Sequence, residues 1–238
     1  MTESTQAKIV LKVLTGSRAY GLERENSDWD YHAVHIAPTS DLLKLGPAPK
    51  GHVWDESKDE DKQTWEIGHF LHLATRCNPT ILETFVAPAV QLTLPFAPEL
   101  RSLLPYVLNR KRIHDSFLGY AHNQRTKLFK KPDDPTKDQP TDRAWKFATQ
   151  YMRVLIVGEA LLRTGELVID MAQHGPGEYT VNFLRDVRHG NFSLGNVVDR
   201  AAKLEAQLKA AYEKSEVQET GNLDAINEFL LRVRIKSW

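Results

Sequence analysis

The residues best suited to chemistry are two aspartates, Asp28 and Asp30, in the run Ser27-Asp28-Trp29-Asp30-Tyr31. Residues i and i+2 of a strand share a face, so this spacing points both carboxylates the same way. Such a pair suits Mg²⁺, which takes hard oxygen ligands, usually one or two carboxylates plus substrate phosphates. Upstream lies Gly16-Ser17-Arg18-Ala19-Tyr20-Gly21-Leu22. Gly16 and Ser17 permit a tight turn whose backbone N–H groups approach an anion closely. A helix starting near Ser17 would add its N-terminal dipole. A cradled phosphate beside a divalent metal is the chemistry of a nucleoside triphosphate. Two metals about 3.5–4 Å apart can clamp an in-line phosphoryl displacement. The plain alternative is a glycine turn followed by a surface hairpin with solvated aspartates.

These residues need elements to position them. Residues 9–14, Ile-Val-Leu-Lys-Val-Leu, form an apolar run bounded by Thr15-Gly16, which predicts a strand. Asn26-Ser27 predicts a turn into a second strand over residues 29–36. A third strand over residues 61–66 leads into a helix at Ile67. Helices are expected near residues 18–24 and 67–76, the latter extending through 80–85. Pro38, Pro47 and Pro49 mark a loop running to about residue 60, and the Pro-rich segment 87–98 reads as a connector. Beyond Leu104 the pattern is helical, over residues 104–130, 143–164, 180–190, 193–215 and 223–236. Residues 131–140 form a polar, Pro-bearing loop. The fold class is therefore α+β: a small mixed sheet with flanking helices over residues 1–104, then a helical half over 105–238.

Gly-Ser-x-x-x-Gly followed by Ser-Asp-x-Asp resembles the signature of the DNA polymerase β-type nucleotidyltransferase superfamily. The finer pattern is similar to its predicted bacterial and phage branch, some members of which accompany RNA-repair genes. The similarity continues through the apolar segment 65–74 and Asn78-Pro79-Thr-Ile-Leu-Glu83, which matches an Asn-Pro-x-x-x-Glu pattern. It extends over 117–124, 146–153, 161–167 and 185–190, and in all spans about residues 9–235. Where relatives carry a His in the 146–153 helix this chain has Gln150, so any role of that His does not carry over.

The resemblance implies a third carboxylate on a following strand. Asp61 is the candidate, with Asp59, Glu60 and Glu66 as rivals. Alternation sets Asp61, Gln63 and Trp65 on one face and Lys62, Thr64 and Glu66 on the other. The competing reading places Asp61 in a solvated charged run, residues 55–62. The resemblance further implies two Mg²⁺ ions, with Mn²⁺ as a substitute, held by Asp28, Asp30 and Asp61. A nucleoside triphosphate would lie on Gly16, Ser17, Arg18, Lys146 and Arg153. A nucleoside monophosphate would pass to a hydroxyl acceptor, foremost RNA, with pyrophosphate leaving. A protein side chain or small molecule is an alternative acceptor. An inactive nucleotide- or nucleic-acid-binding regulator of the same fold is the alternative function. Arg18 also reads as a surface residue, and Tyr20 as packing the bend onto the sheet rather than stacking on a base.

Composition agrees without deciding. Lys and Arg together number 31 and Asp and Glu 31, so there is no overall basic field for nucleic acid. The one cysteine, Cys77, excludes an internal disulfide and any multi-cysteine zinc site. His69 and His72 share a helix face, but no His-Glu-x-x-His pattern occurs, and His35 is expected near the site edge. The N-terminus lacks a signal-peptide pattern, and no apolar run approaches the roughly 20 residues needed to span a bilayer. A cytoplasmic protein of a bacterial or phage-infected cell, with no membrane partner, is the expectation. Arg110-Lys111-Arg112, with Lys127, Lys130 and Lys131, is a basic cluster that reads as an RNA-phosphate contact or as a solvated helix face.

Overall fold

The computed structural model describes residues 8–46, 60–130 and 140–238, with the backbone alone for residues 60–62. Asp59 and Lys131 lie outside the described residues. The chain packs as two compact units. One comprises the described residues up to Leu108 together with Thr220–Trp238, the other Asn109–Glu219.

The first unit is built on a four-stranded mixed sheet, order β3-β2-β1-β4. Its strands are β1 (Lys8–Thr15), β2 (Trp29–Ile36), β3 (Glu60–Glu66) and β4 (Ala89–Leu92). β1 is central, and its Val10, Leu11 and Val13 are fully buried. β1 runs antiparallel to β2 and β4, whereas β2 and β3 are parallel. The start of β2 lies beside the end of β1, with Asp30 paired to Thr15. On the other side Asp30 pairs with Asp61.

The short helix α1 (Gly16–Ala19) follows β1, and α2 (Thr39–Leu42) follows β2. Helices α3 (Ile67–Ala74) and α4 (Pro79–Val86) supply the apolar core, with Phe70 and Phe85 ring centroids 5.0 Å apart. The single helix expected over 67–85 is broken. Cys77 adopts φ 53°, and the Asn78 side chain then accepts from Ile81 N at 3.3 Å, capping a helix with Pro79 at its first position. Helices α5 (Phe96–Ser102) and α6 (Leu104–Val107) follow β4.

The second unit is helical: α7 (Arg110–Leu128), α8 (Asp142–Thr164), α9 (Glu178–His189) and α10 (Leu194–Lys214). The run expected from residue 104 to 130 is interrupted before Arg110, where the Asn109 side chain caps α7 by accepting from Arg112 N at 2.8 Å. α7 and α8 cross closely at Gly158, where a Cβ would stand 2.7 Å from Phe117 Cδ1. Tyr151 donates to Glu205 at 2.7 Å, joining α8 to α10. No helix among the described residues is long and apolar enough to cross a membrane.

The last helix, α11 (Leu223–Lys236), belongs to the first unit. Arg234 donates two bonds to the Glu66 carboxylate, at 2.6 and 2.9 Å, and Glu66 also caps α3 by accepting from Gly68 N at 2.7 Å. Glu66 is buried, so deleting its cation would strand a charge in the interior. Arg234→Ala is expected to cost about 3–5 kcal/mol, read as a lower urea midpoint. Combining it with Glu66→Gln should recover part of that loss.

Candidate active site

The bend and the second aspartate are built together. β1 ends at Thr15, whose strand partner is Asp30. The chain then turns at Gly16 with φ +71°, in the left-handed region. A Cβ at Gly16 would overlap the Asp30 carboxylate, 2.8 Å from its Cγ. Residue 16 therefore needs glycine twice, for its backbone angle and for the space Asp30 occupies. Past the bend, Ser17 O accepts from Tyr20 N and Leu22 N at 3.2 and 2.9 Å, which closes the turn on itself.

Asp28 is exposed and immediately precedes β2. Its neighbours are pinned by one side chain. Arg18 Nη2 donates to Ser27 O at 2.8 Å, and its guanidinium lies 4.1 Å from the Trp29 ring centroid. Ser27 Oγ accepts from Arg24 N at 2.8 Å. Arg18 thus holds the loop on both sides of Asp28 and ties it to the helix after the bend.

Asp61 occupies the register position beside Asp30 on the parallel strand β3. Glu60 stands beside Trp29 and Glu66 beside His35, so both positions have the opposite parity. Glu66 is in addition engaged by Arg234. Position 61 is therefore the acidic position of this strand in line with Asp30. Among the described residues no three His, Cys, Asp or Glu side chains group to hold a metal; the side chains of residues 60–62 are outside that description. Asp28 and Asp30 carry hard-oxygen carboxylates of the kind Mg²⁺ takes, and position 61 is an acidic position in register with Asp30.

Lys146 and Arg153 lie on α8 of the second unit. Lys146 is exposed, while Arg153 is buried and donates from Nε to Gln150 Oε1 at 2.9 Å. His35 is not at the site edge. It lies at the far end of β2 from the aspartates, buried, with Nδ1 3.2 Å from Thr64 Oγ1. The basic cluster at the start of α7 is largely met within its own unit: Arg110 pairs with Glu219, and Lys111 with Asp115 at 2.6 Å.

One member of the site's support escaped sequence reading. Tyr20 donates to Glu83 at 2.6 Å in a buried contact, fastening the segment after the bend to α4. Tyr20 thus packs rather than stacks. An acid inside an otherwise apolar helix, Thr80-Ile-Leu-Glu-Thr-Phe85, was the available signal, since such a group needs a partner.

A family model described as the RNA repair pathway DNA polymerase beta family matches residues 1–232. No curated protein matches the sequence.

Proposed function

We propose, because this chain belongs to the RNA repair pathway DNA polymerase beta family, that it transfers a nucleoside monophosphate from a nucleoside triphosphate to a hydroxyl of RNA and releases pyrophosphate. The family is one of polymerase β-type nucleotidyltransferases in RNA repair, enzymes that generally use divalent metals and nucleoside triphosphates. The observation that carries the finer reading is the contact between the Gly16 bend and the Asp30 carboxylate, with Asp61 in register one strand away.

Each residue then has a task. Asp28, Asp30 and Asp61 would hold Mg²⁺. The bound metal would neutralise triphosphate charge and lower the pKa of the incoming hydroxyl. Gly16 and Ser17 would present backbone N–H groups to the β- and γ-phosphates. Arg18 positions the Asp28 loop through Ser27 O and Trp29. Asp61, or the solvent beside it, would take the proton of the attacking hydroxyl. The hydroxyl oxygen attacks the α-phosphorus as the bond to the bridging oxygen breaks. Most of the acceleration would come from positioning and charge neutralisation. Lys146 and Arg153 would serve the triphosphate or the acceptor strand, and the unit of residues up to 108 with 220–238 would be the catalytic one and 109–219 the helical one.

The test is incubation with each α-labelled nucleoside triphosphate, Mg²⁺, total RNA and total protein. Label is expected in the RNA fraction, dependent on the metal. Label confined to protein or small molecules would replace RNA as acceptor. Intact triphosphate in every fraction would favour a binding protein of the same fold.

A further inference from the structure

The second unit contains a groove of about 780 Å³ that the catalytic reading does not use. α8 supplies one wall, α9 and the preceding His174-Gly175-Pro176 turn another, and α10 the third. Its volume suits a ligand of nucleotide size, within the 300–1,000 Å³ range of ligand pockets.

The lining chemistry is specific. Phe183 and Phe192 meet edge to face with centroids 5.6 Å apart, and Tyr179 stands beside them, 61% exposed. The Arg200 guanidinium lies over both phenylalanine rings, 5.0 and 5.2 Å from their centroids. Arg163 is met by Glu159 at 3.0 Å. That leaves Arg200 and Lys203 against one carboxylate, Asp199, and neither cation has an ion-pair partner among the described residues. His174 Nε2 lies 2.9 Å from Val168 O. With the proton on Nε2 donated there, Nδ1 remains an acceptor. Burial pushes the His174 pKa down and favours the neutral ring.

Aromatic rings, an arginine plane and unpaired cations together are the elements that take a base and its phosphate. We propose that this groove binds one nucleotide unit of a single-stranded RNA. The base lies against the Tyr179, Phe183 and Arg200 wall, and the phosphate lies on Arg200 and Lys203. The groove chemistry specifies base plus phosphate. The choice of RNA as the polymer rests on the function proposed above. The charged face at the start of α7 is a poorer candidate, because Glu219 and Asp115 already meet its cations.

The probe is a short unstructured, fluorescein-labelled oligoribonucleotide titrated with the full chain at about 0.1 M salt and read by anisotropy. Arg200→Glu and Tyr179→Ala alter exposed side chains, and circular dichroism checks that both remain folded. Arg200→Glu is expected to weaken binding about tenfold or more, and Tyr179→Ala several-fold. Lys203→Glu should also flatten the salt dependence by roughly one ion. Anisotropy is read without nucleoside triphosphate or Mg²⁺, so binding is scored independently of transfer. Wild-type affinity in all three groove variants, or no binding by the wild type, would overturn the proposal. So would an equal loss for duplex RNA, or a loss confined to free mononucleotide. Continued transfer of label to RNA alongside unchanged affinity would remove the groove and leave the catalytic reading standing.

Discussion

Asp30→Asn is expected to lower Mg²⁺-dependent pyrophosphate release by roughly a thousandfold or more. A metal that offsets transition-state charge contributes several kcal/mol, and each 1.36 kcal/mol is a factor of ten. Asparagine keeps the shape of the side chain beside Gly16 but removes the charge proposed to bind the cation. Asp28→Asn and Asp61→Asn should fall in the same class. Glu66→Gln is the informative contrast. It is an acid on the same strand, but its carboxylate is held by Arg234 and Gly68 N. Its loss should lower the unfolding midpoint more than turnover. A colorimetric pyrophosphate assay over a Mg²⁺ titration separates these results. Wild-type turnover in Asp30→Asn would remove the metal site, and a Glu66→Gln defect as deep as that of Asp61→Asn would reopen the choice of third carboxylate.

Periodicity made the sheet strands nearest the site readable. The apolar run of β1 and the stretch 29–36 that became β2 follow from composition and flanking turns. β4 was not readable, because all four of its residues are exposed and Pro88 and Pro95 flank it. It exists through backbone pairing with β1, Leu11 against Leu92, and its apolar Val90 and Leu92 are exposed, so the flanking prolines outweighed them. The helix breaks at Asn78 and Asn109 carried a local signal, a capping side chain three residues before the N–H it accepts from. The helical pattern outweighed it on reading.

Long-range partners mark the limit of such reading. The 223–236 helix was legible as a helix, yet its place in the first unit is marked by long-range contacts such as Arg234 meeting Glu66 across 168 residues. No spacing rule links those positions. At the site, the bend and the aspartates were visible by type. Arg18 was visible only as a cation. Its acceptor, the Ser27 carbonyl, is a backbone atom and leaves no trace in composition. Register is a middle case. Alternation within residues 61–66 separated Asp61 from Glu66, but only the pairing of β2 with β3 sets Asp61 opposite Asp30.

Gly16→Ala should reduce turnover about a hundredfold while the protein remains folded. An L-residue at φ +71° costs about 1–2 kcal/mol in backbone conformation. The new methyl would also stand 2.8 Å from Asp30 Cγ, a separation that non-bonded carbons do not tolerate. Either the carboxylate swings away or the bend opens, and both separate the proposed phosphate cradle from the proposed metal-binding acid. A displacement of about 1 Å can by itself cost a hundredfold in rate. Gly165→Ala distinguishes the two contributions. Gly165 has φ +74° at the end of α8, and a Cβ there would meet only Val217, at 4.0 Å. It should show the stability loss of a left-handed alanine with turnover retained. If both variants lose stability equally and Gly16→Ala keeps its rate, closeness of bend and carboxylate is a packing feature. If only Gly16→Ala loses turnover, that contact aligns the reacting phosphate.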